Sequence, residues 1–266
     1  MGRSIVAGID AGSTTIKVTL YDGVQMENWL GIAGWNPREE ATSLFQTAIE
    51  RWGVSLEEID YSVSTGYGRV NLPFVTKSMT EISCHGKGAA FLFPGAGTVI
   101  DIGGQDAKAI CLGEGGRVTD FIMNDKCAAG TGRFIQVMAN ALGLDVADMA
   151  QMEPMLGEKA CSINSMCTVF AESEVIGLLN QGYSRQAIMA GIYKSIASRI
   201  GTMTANVGIE APVVFTGGVS QNSWLCRELE AKLAIPVIVP DKAVFAGAIG
   251  AALYAWEEKK KNKGVL

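Results

Sequence analysis

The apolar and polar positions of the first third of the chain fall into short apolar runs separated by glycine-rich breaks. Residues 4–10 and 15–21 predict two strands joined by the tight turn Ala11-Gly12-Ser13-Thr14. Asp22-Gly23 then turns the chain into a third strand over 24–30. The spacing over 37–52 predicts a helix, with Pro37 in its first turn and Gly53 just past its end. A short strand at 61–65 runs into Gly66-Tyr67-Gly68-Arg69, and a helix over 81–93 is broken by Pro94-Gly95. The opening pattern then returns. Ile9-Asp10-Ala11-Gly12 recurs as Ile100-Asp101-Ile102-Gly103, and in each copy a lysine, Lys17 or Lys108, follows the aspartate by seven residues. Residues 117–123 complete a second three-stranded meander. Beyond it, apolar residues at three- and four-residue spacing predict helices over 133–142, 168–181 and 184–207. A strand over 212–216 ends in Gly217-Gly218, followed by a helix over 221–233, a short strand over 236–239 and a final helix over 244–258. The tail 257–263, rich in Glu and Lys, is expected to be a solvated end.

Two buried strands that each end in Asp-x-Gly and lead into a second strand imply a duplicated α/β unit with a cleft between the copies; two hairpins alike by chance are the alternative. The expected division is 1–94 plus 242–266 as one domain and 95–241 as the other. Composition agrees with a folded chain of that size: 266 residues, 48% hydrophobic and 18% charged. A net charge of -5 argues against sequence-independent binding to nucleic acid, which needs a basic face. The single histidine, His85, excludes a two-histidine metal site within one chain. No targeting signal is evident at the start, and the longest apolar run, 246–256, is too short to span a bilayer. A cytoplasmic protein with no membrane partner is expected. Its six cysteines are then reduced thiols or ligands.

The two turns offer a nucleotide site. Gly12, Ser13, Thr14 and Thr15 supply backbone N–H groups and hydroxyls, and Gly12 lets a phosphate approach the main chain; Gly103, Gly104 and Gln105 supply a second set. Asp10 and Asp101 end their strands, where carboxylates can hold Mg²⁺ through waters. Neither turn is a Walker loop or a dinucleotide fingerprint, because neither leads directly into a helix. The pattern resembles the actin, Hsp70 and sugar-kinase superfamily. Its two phosphate motifs are matched by 10–17 and 101–105, its adenosine motif by Thr216-Gly217-Gly218-Val219, and its second connecting helix by 246–252 around Gly247. The resemblance implies a duplicated ribonuclease H-like α/β ATPase fold that closes around ATP or ADP, with Gln221 added to the nucleotide contacts. Gln105, directly after the second turn, is expected to place the attacking water or sense the γ-phosphate, against a plain phosphate hydrogen bond. Lys17 and Lys108 are read as phosphate contacts or as solvated.

Two segments exceed what a kinase of this fold needs: Asn124-Asp125-Lys126-Cys127-Ala128-Ala129-Gly130-Thr131-Gly132 and Ser165-Met166-Cys167-Thr168-Val169-Phe170-Ala171-Glu172. In each, a cysteine is expected where a loop becomes a helix, and the helix dipole favours a thiolate or an anionic cofactor there. Buried, inert cysteines are the alternative. No Cys-x-x-Cys occurs, so zinc ribbons and ferredoxin-type clusters fit poorly. Two ligands in one chain cannot complete a four-thiolate site, whereas Cys127 and Cys167 of two chains can. These segments, together with 64–69 and 81–85, resemble the activator ATPases of 2-hydroxyacyl-CoA dehydratases, a family that includes the ATPase subunits of benzoyl-CoA reductase. The resemblance implies a homodimer bridged by one [4Fe–4S] cluster on Cys127 and Cys167, with Cys161 the competing ligand. It also implies electron supply from ferredoxin or flavodoxin and ATP-driven transfer to a dehydratase. The rival readings are a small-molecule kinase without a cluster and a nucleotide-dependent scaffold. His85 is read as structural or domain-contacting, Arg133 as facing partner or nucleotide, and Met123, Met138, Met149, Met152 and Met155 as packing.

Overall fold

The structure is a computed structural model, and it describes residues 4–69, 72–152, 159–163 and 167–263. The chain divides into two compact units, Met1–Ala96 with Leu112–Thr119 and Pro240–Leu266, and Gly97–Cys111 with Asp120–Val239.

The first unit is built on β1 (Ile5–Ala11), β2 (Thr15–Tyr21), β3 (Met26–Ile32), β4 (Ile59–Thr65) and β5 (Lys77–Ser78), in the order β3-β2-β1-β4-β5. β1 and β2 are antiparallel, as are β2 and β3, while β4 runs parallel to β1. Every residue of β1 is buried because both faces of the sheet are covered. On one face Ala7, Ile9 and Ala11 join the cluster of Ala41, Phe45 and Ala48 from α1 (Pro37–Trp52). On the other, Val6 and Val63 meet Cys84 of α2 (Glu81–Leu92) and Ala251 and Ala255 of α8 (Ala246–Lys263). The last helix lies so close to the first strand that a Cβ on Gly8 would collide with Ala248 O and Ala252 N. α2 and α8 approach equally closely, with Gly88 against Ala246 O and Gly250 against Cys84 O.

The second unit repeats this plan with β6 (Thr98–Ile102), β7 (Ala107–Leu112), β8 (Val118–Asn124), β9 (Val213–Thr216) and β10 (Val237–Ile238), in the order β10-β9-β6-β7-β8. Again the first two strands are antiparallel and the first and fourth parallel. Its helices are α3 (Gly132–Leu142), α4 (Val146–Gln151), α5 (Thr168–Asn180), α6 (Arg185–Val207) and α7 (Ser223–Leu233). Met138 and Met149 are fully buried in this core and Met152 packs against it, as expected for packing residues; Met155 lies outside the described residues.

Three expectations need correction. The third strand starts at Met26, two residues late, because the Asp22 carboxylate accepts from Val24 N–H (2.9 Å) and Gln25 N–H (2.6 Å) and holds a four-residue turn. The helix before the second short strand starts at Ser223: Gly218–Gln221 forms a 3-10 turn, and the Asn222 side chain caps α7 from Leu225 N–H. The C-terminal tail is solvated at Glu257, Lys260, Lys261 and Asn262 as expected, but not at Lys259. α8 continues to Lys263, and Lys259, only 7% exposed, pairs with Asp60 at 3.1 Å while its ammonium sits over the Trp256 ring. Lys87–Glu257 (2.6 Å) and Lys77–Glu258 (3.0 Å) tie the same turns to the unit. Among the described residues no helix is long and apolar enough to cross a membrane.

Candidate functional site

β1 delivers Asp10 to its C-terminal end, and the β1–β2 register places Lys17 directly opposite. The seven-residue spacing read in the sequence is therefore this cross-strand pair. Both side chains are buried, with Lys17 Nζ 3.4 Å from Asp10 Oδ2, so Lys17 is not solvated. Gly12, Ser13 and Thr15 of the turn are half-buried and Thr14 is exposed. The turn is fixed from outside: Gly68 N–H donates to Ala11 O at 2.8 Å, and Ala33 N–H to Thr14 O at 3.0 Å. Gly66, at φ +89°, follows β4; a Cβ there would sit 2.6 Å from both Ala11 O and Asp10 Oδ1. Gly247, in the first turn of α8, closes the other side, since its Cβ would lie 2.8 Å from His85 Nε2 and 3.0 Å from Asp10 Oδ2. His85 of α2 thus belongs to the surroundings of Asp10. Its neighbour Cys84 has a thiol pushed up to about 12, chiefly by burial, with the Asp10 charge adding to the effect.

The second turn repeats this arrangement with one change. Lys108 faces Asp101 in register, 3.5 Å from its Oδ2, and also pairs with Asp106 at 2.8 Å. It is buried, which removes the solvated reading for this lysine too. Thr216 Oγ1 donates to Asp101 Oδ1 at 2.7 Å. Gly217 follows β9 at φ +89°, as Gly66 follows β4, and its Cβ would lie 3.0 Å from Asp101 Oδ1. Gly103 N–H donates to Asp106 O at 2.9 Å and closes the turn, leaving Gly103 and Gly104 half-buried and Gln105 exposed at the tip. Gly218 has open space where a Cβ would be, and Gln221 is exposed at the end of the 3-10 turn. The repeat is therefore a quartet of Asp, Lys, Thr and Gly: 10, 17, 65 and 66, then 101, 108, 216 and 217. Sequence reasoning gave no site role to Thr65, Gly66 and Asp106, and read His85 as structural or domain-contacting. Thr-Gly after each parallel strand was the available signal for the first two; His85 and Asp106 join through contacts that spacing does not encode.

The two motif cysteines differ in setting. Cys167 is the N-cap residue of α5 and is exposed; Ser165 and Met166 of its segment lie outside the described residues. Cys127 is half-buried and stands four residues before Thr131, the N-cap of α3, so the expectation that it begins a helix is corrected. The loop between is tightly held. Asn124 Nδ2 donates to Cys127 O (2.8 Å) and Ala129 O (3.3 Å), and Thr131 Oγ1 donates to Ala128 O (2.6 Å). The first N–H groups of α3 are already used: Gly132 N–H donates to Gly103 O at 2.9 Å and Arg133 N–H to Gly104 O at 2.7 Å. The cysteine loop is thereby bonded directly to the second glycine turn, while the Arg133 side chain is exposed. Of the other thiols, Cys84, Cys111 and Cys161 are buried and Cys226 half-buried, and burial raises Cys111 and Cys226 above the usual thiol range. Among the described residues no three His, Cys, Asp or Glu side chains form a metal group within the chain.

Two like units, each with an Asp–Lys hairpin and a following strand that ends in Thr-Gly, define an ATPase of the actin, Hsp70 and sugar-kinase-like class. Distant solved structures share that fold: a ROK family glucokinase from Streptomyces griseus at TM-score 0.58 and 13% identity, and MreB 5 of Spiroplasma citri at 0.57 and 10%. Residues 7–255 match the BadF/BadG/BcrA/BcrD ATPase family, and the chain belongs to it. The activator of lactoyl-CoA dehydratase from Anaerotignum propionicum is 45% identical over 260 residues, spanning 96% of this chain and 98% of the relative. The crystal structure of Acidaminococcus fermentans (R)-2-hydroxyglutaryl-CoA dehydratase component A matches at TM-score 0.90 and 42% identity, covering 96% of this chain and 99% of that one. The activator of 2-hydroxyisocaproyl-CoA dehydratase from Clostridium difficile, solved with bound ADPNP, matches at TM-score 0.90 and 39% identity, with 98% of each chain covered.

Proposed function

We propose that the protein is an ATP-dependent activator of a 2-hydroxyacyl-CoA dehydratase, delivering one electron per cycle from reduced ferredoxin or flavodoxin. The observation that carries the reading is end-to-end similarity to such activators, joined to two accessible cysteines on loops that this ATPase fold does not itself require. The nucleotide is taken up by Gly12, Ser13, Thr14, Thr15 and Lys17 of one turn and Gly103, Gly104 and Gln105 of the other. Gly217, Gly218, Gln221 and Gly247 complete the set. Asp10 and Asp101 suit a hydrated Mg²⁺, since both end strands and both are oriented by a buried lysine. Gln105, exposed at the turn tip, is free to orient a water toward the γ-phosphate.

The donor set suits a [4Fe–4S] cluster held between two copies. In each chain Cys127 is half-buried and Cys167 exposed, and Val169 and Phe170 beside Cys167 are exposed apolar side chains suited to cover by a second chain. Cys127 and Cys167 would hold it, and a cluster so bound supplies one-electron chemistry. The chain's own contribution is coupling. Gly132 and Arg133 bond the Cys127 loop to the carbonyls of the second glycine turn, so a phosphate that moves this turn also moves the loop. The protein is expected to lie in the cytoplasm, where its electron donor would be.

Anaerobic purification tests the reading. It predicts a brown dimer with about four irons per two chains. Cys127→Ser and Cys167→Ser should each bleach it, and Cys161→Ser should not. A colourless, iron-free protein that phosphorylates a small-molecule acceptor would replace the reading with a kinase.

A further inference from the structure

α6 places Ser195, Arg199, Thr202 and Asn206 on one face, at steps of four, three and four residues. That face borders a cavity of about 580 Å³ inside the second unit, within the range of small-molecule sites. Across it stand Ile122 and Asn124 of β8 and Ala129 and Gly130 of the cysteine loop. Arg199 is the single charged side chain among the described residues of the lining, and no carboxylate of the described residues lies within 4.0 Å of its guanidinium. The loop is shaped to admit it. Gly130 sits at φ +84°, and a Cβ there would come within 3.2 Å of Arg199 Cδ.

We propose that this cavity binds an organic anion, a carboxylate carried on an apolar body. Five N–H donors in a planar fork match a carboxylate, and a half-buried guanidinium without an acidic partner gains most from one. Ser195 and Ser198, beside Arg199 in the lining, add hydroxyls that a carboxylate can accept from. Phe134, Ile163, Ile196 and Met203 supply walls that an inorganic ion would leave unused. The occupant would touch Asn124, whose amide holds Cys127 O and Ala129 O, so binding braces the loop on which Cys127 is carried. The assignment rests on the cavity alone and stands apart from the electron-transfer reading.

Titration calorimetry on the full-length protein tests it with three probes: hexanoate, acetate and 1-hexanol. Hexanoate should bind one per chain, with acetate and 1-hexanol each about tenfold weaker or more. Arg199→Met should weaken hexanoate by about tenfold or more, with Arg199→Lys intermediate. Ser198→Trp, at an exposed position of the lining, should block the site and tests it even where Arg199→Met fails to fold. Acetate as tight as hexanoate would mean an adventitious ion only. Equal binding of 1-hexanol, undiminished hexanoate binding in Ser198→Trp or a folded Arg199→Met, or no hexanoate binding at millimolar concentration would each overturn the proposal.

Discussion

Replacing Gly132 by alanine strikes a joint that links the second glycine turn to the Cys127 loop. The added Cβ would stand 3.1 Å from Gly103 O, 3.3 Å from Gly104 Cα and 3.4 Å from Val219 Cγ2. Two of these are backbone atoms and cannot rotate aside, so α3 must retreat from the turn by a few tenths of an ångström. Overpacking of this kind costs about 1–3 kcal/mol. The retreat also lengthens the bonds from Gly132 N–H (2.9 Å) and Arg133 N–H (2.7 Å). Each of those contributes about 0.5–1.5 kcal/mol net. A loss of about 2 kcal/mol from the docked state corresponds to roughly thirtyfold in any equilibrium that requires it. With the proposed cluster bound, the variant should therefore keep its iron content while losing most of any effect of ATP on that cluster. The assay is the rate of iron release to a chelator, with and without ATP, in wild type and variant. An ATP effect in Gly132→Ala equal to that of the wild type would refute this coupling route.

Other outcomes follow from single contacts. Gly247→Ala wedges a methyl group between His85 Nε2 and Asp10 Oδ2, so ATP hydrolysis should fall about tenfold or more with the fold retained by circular dichroism. Lys108→Met leaves Asp101 and Asp106 facing one another without their shared cation, and should destabilise by about 3–5 kcal/mol in urea unfolding. Gln105→Ala should depress hydrolysis without changing the urea midpoint; unchanged hydrolysis would remove Gln105 from the mechanism. Burial holds Cys84 and Tyr193 neutral up to about 12, whereas in the unfolded chain they ionise near 9.0 and 10.0. At these two groups the unfolded state thus binds fewer protons above pH 9, so their contribution to stability should be full below that pH and be lost between pH 9 and 12. Cys84→Ala should reduce that alkaline slope, which urea midpoints across the pH series will show.

The repeated plan of the two units was legible because a buried strand, a glycine turn and an opposed lysine leave a local imprint. Asp10 to Lys17 and Asp101 to Lys108 are hairpin registers, and a register is short-range information. The paired cysteine segments were legible through resemblance, which also led to the family. What stayed hidden is long-range. Thr216 reaches Asp101 across 115 residues of chain, and His85 and Asp10 both border Gly247, where the last helix comes close. The tail reads as solvent-facing from charge alone. Lys259 departs from it because Asp60 and Trp256 give a buried ammonium both an ion pair and a ring. The shift of the third strand turned on one carboxylate, Asp22, whose capping of two N–H groups outweighs the β-propensity of Val24.

The seating of α8 on Gly8 sets an order on synthesis at the ribosome. Residues 97–239 lie in one stretch apart from a short excursion, so the second unit can assemble as soon as they emerge. The first unit has its strands available earliest, yet one side of its sheet is covered only in part, by α2, until the carboxyl-terminal helix arrives beside it. The half of the protein that is translated first is therefore the half that finishes last.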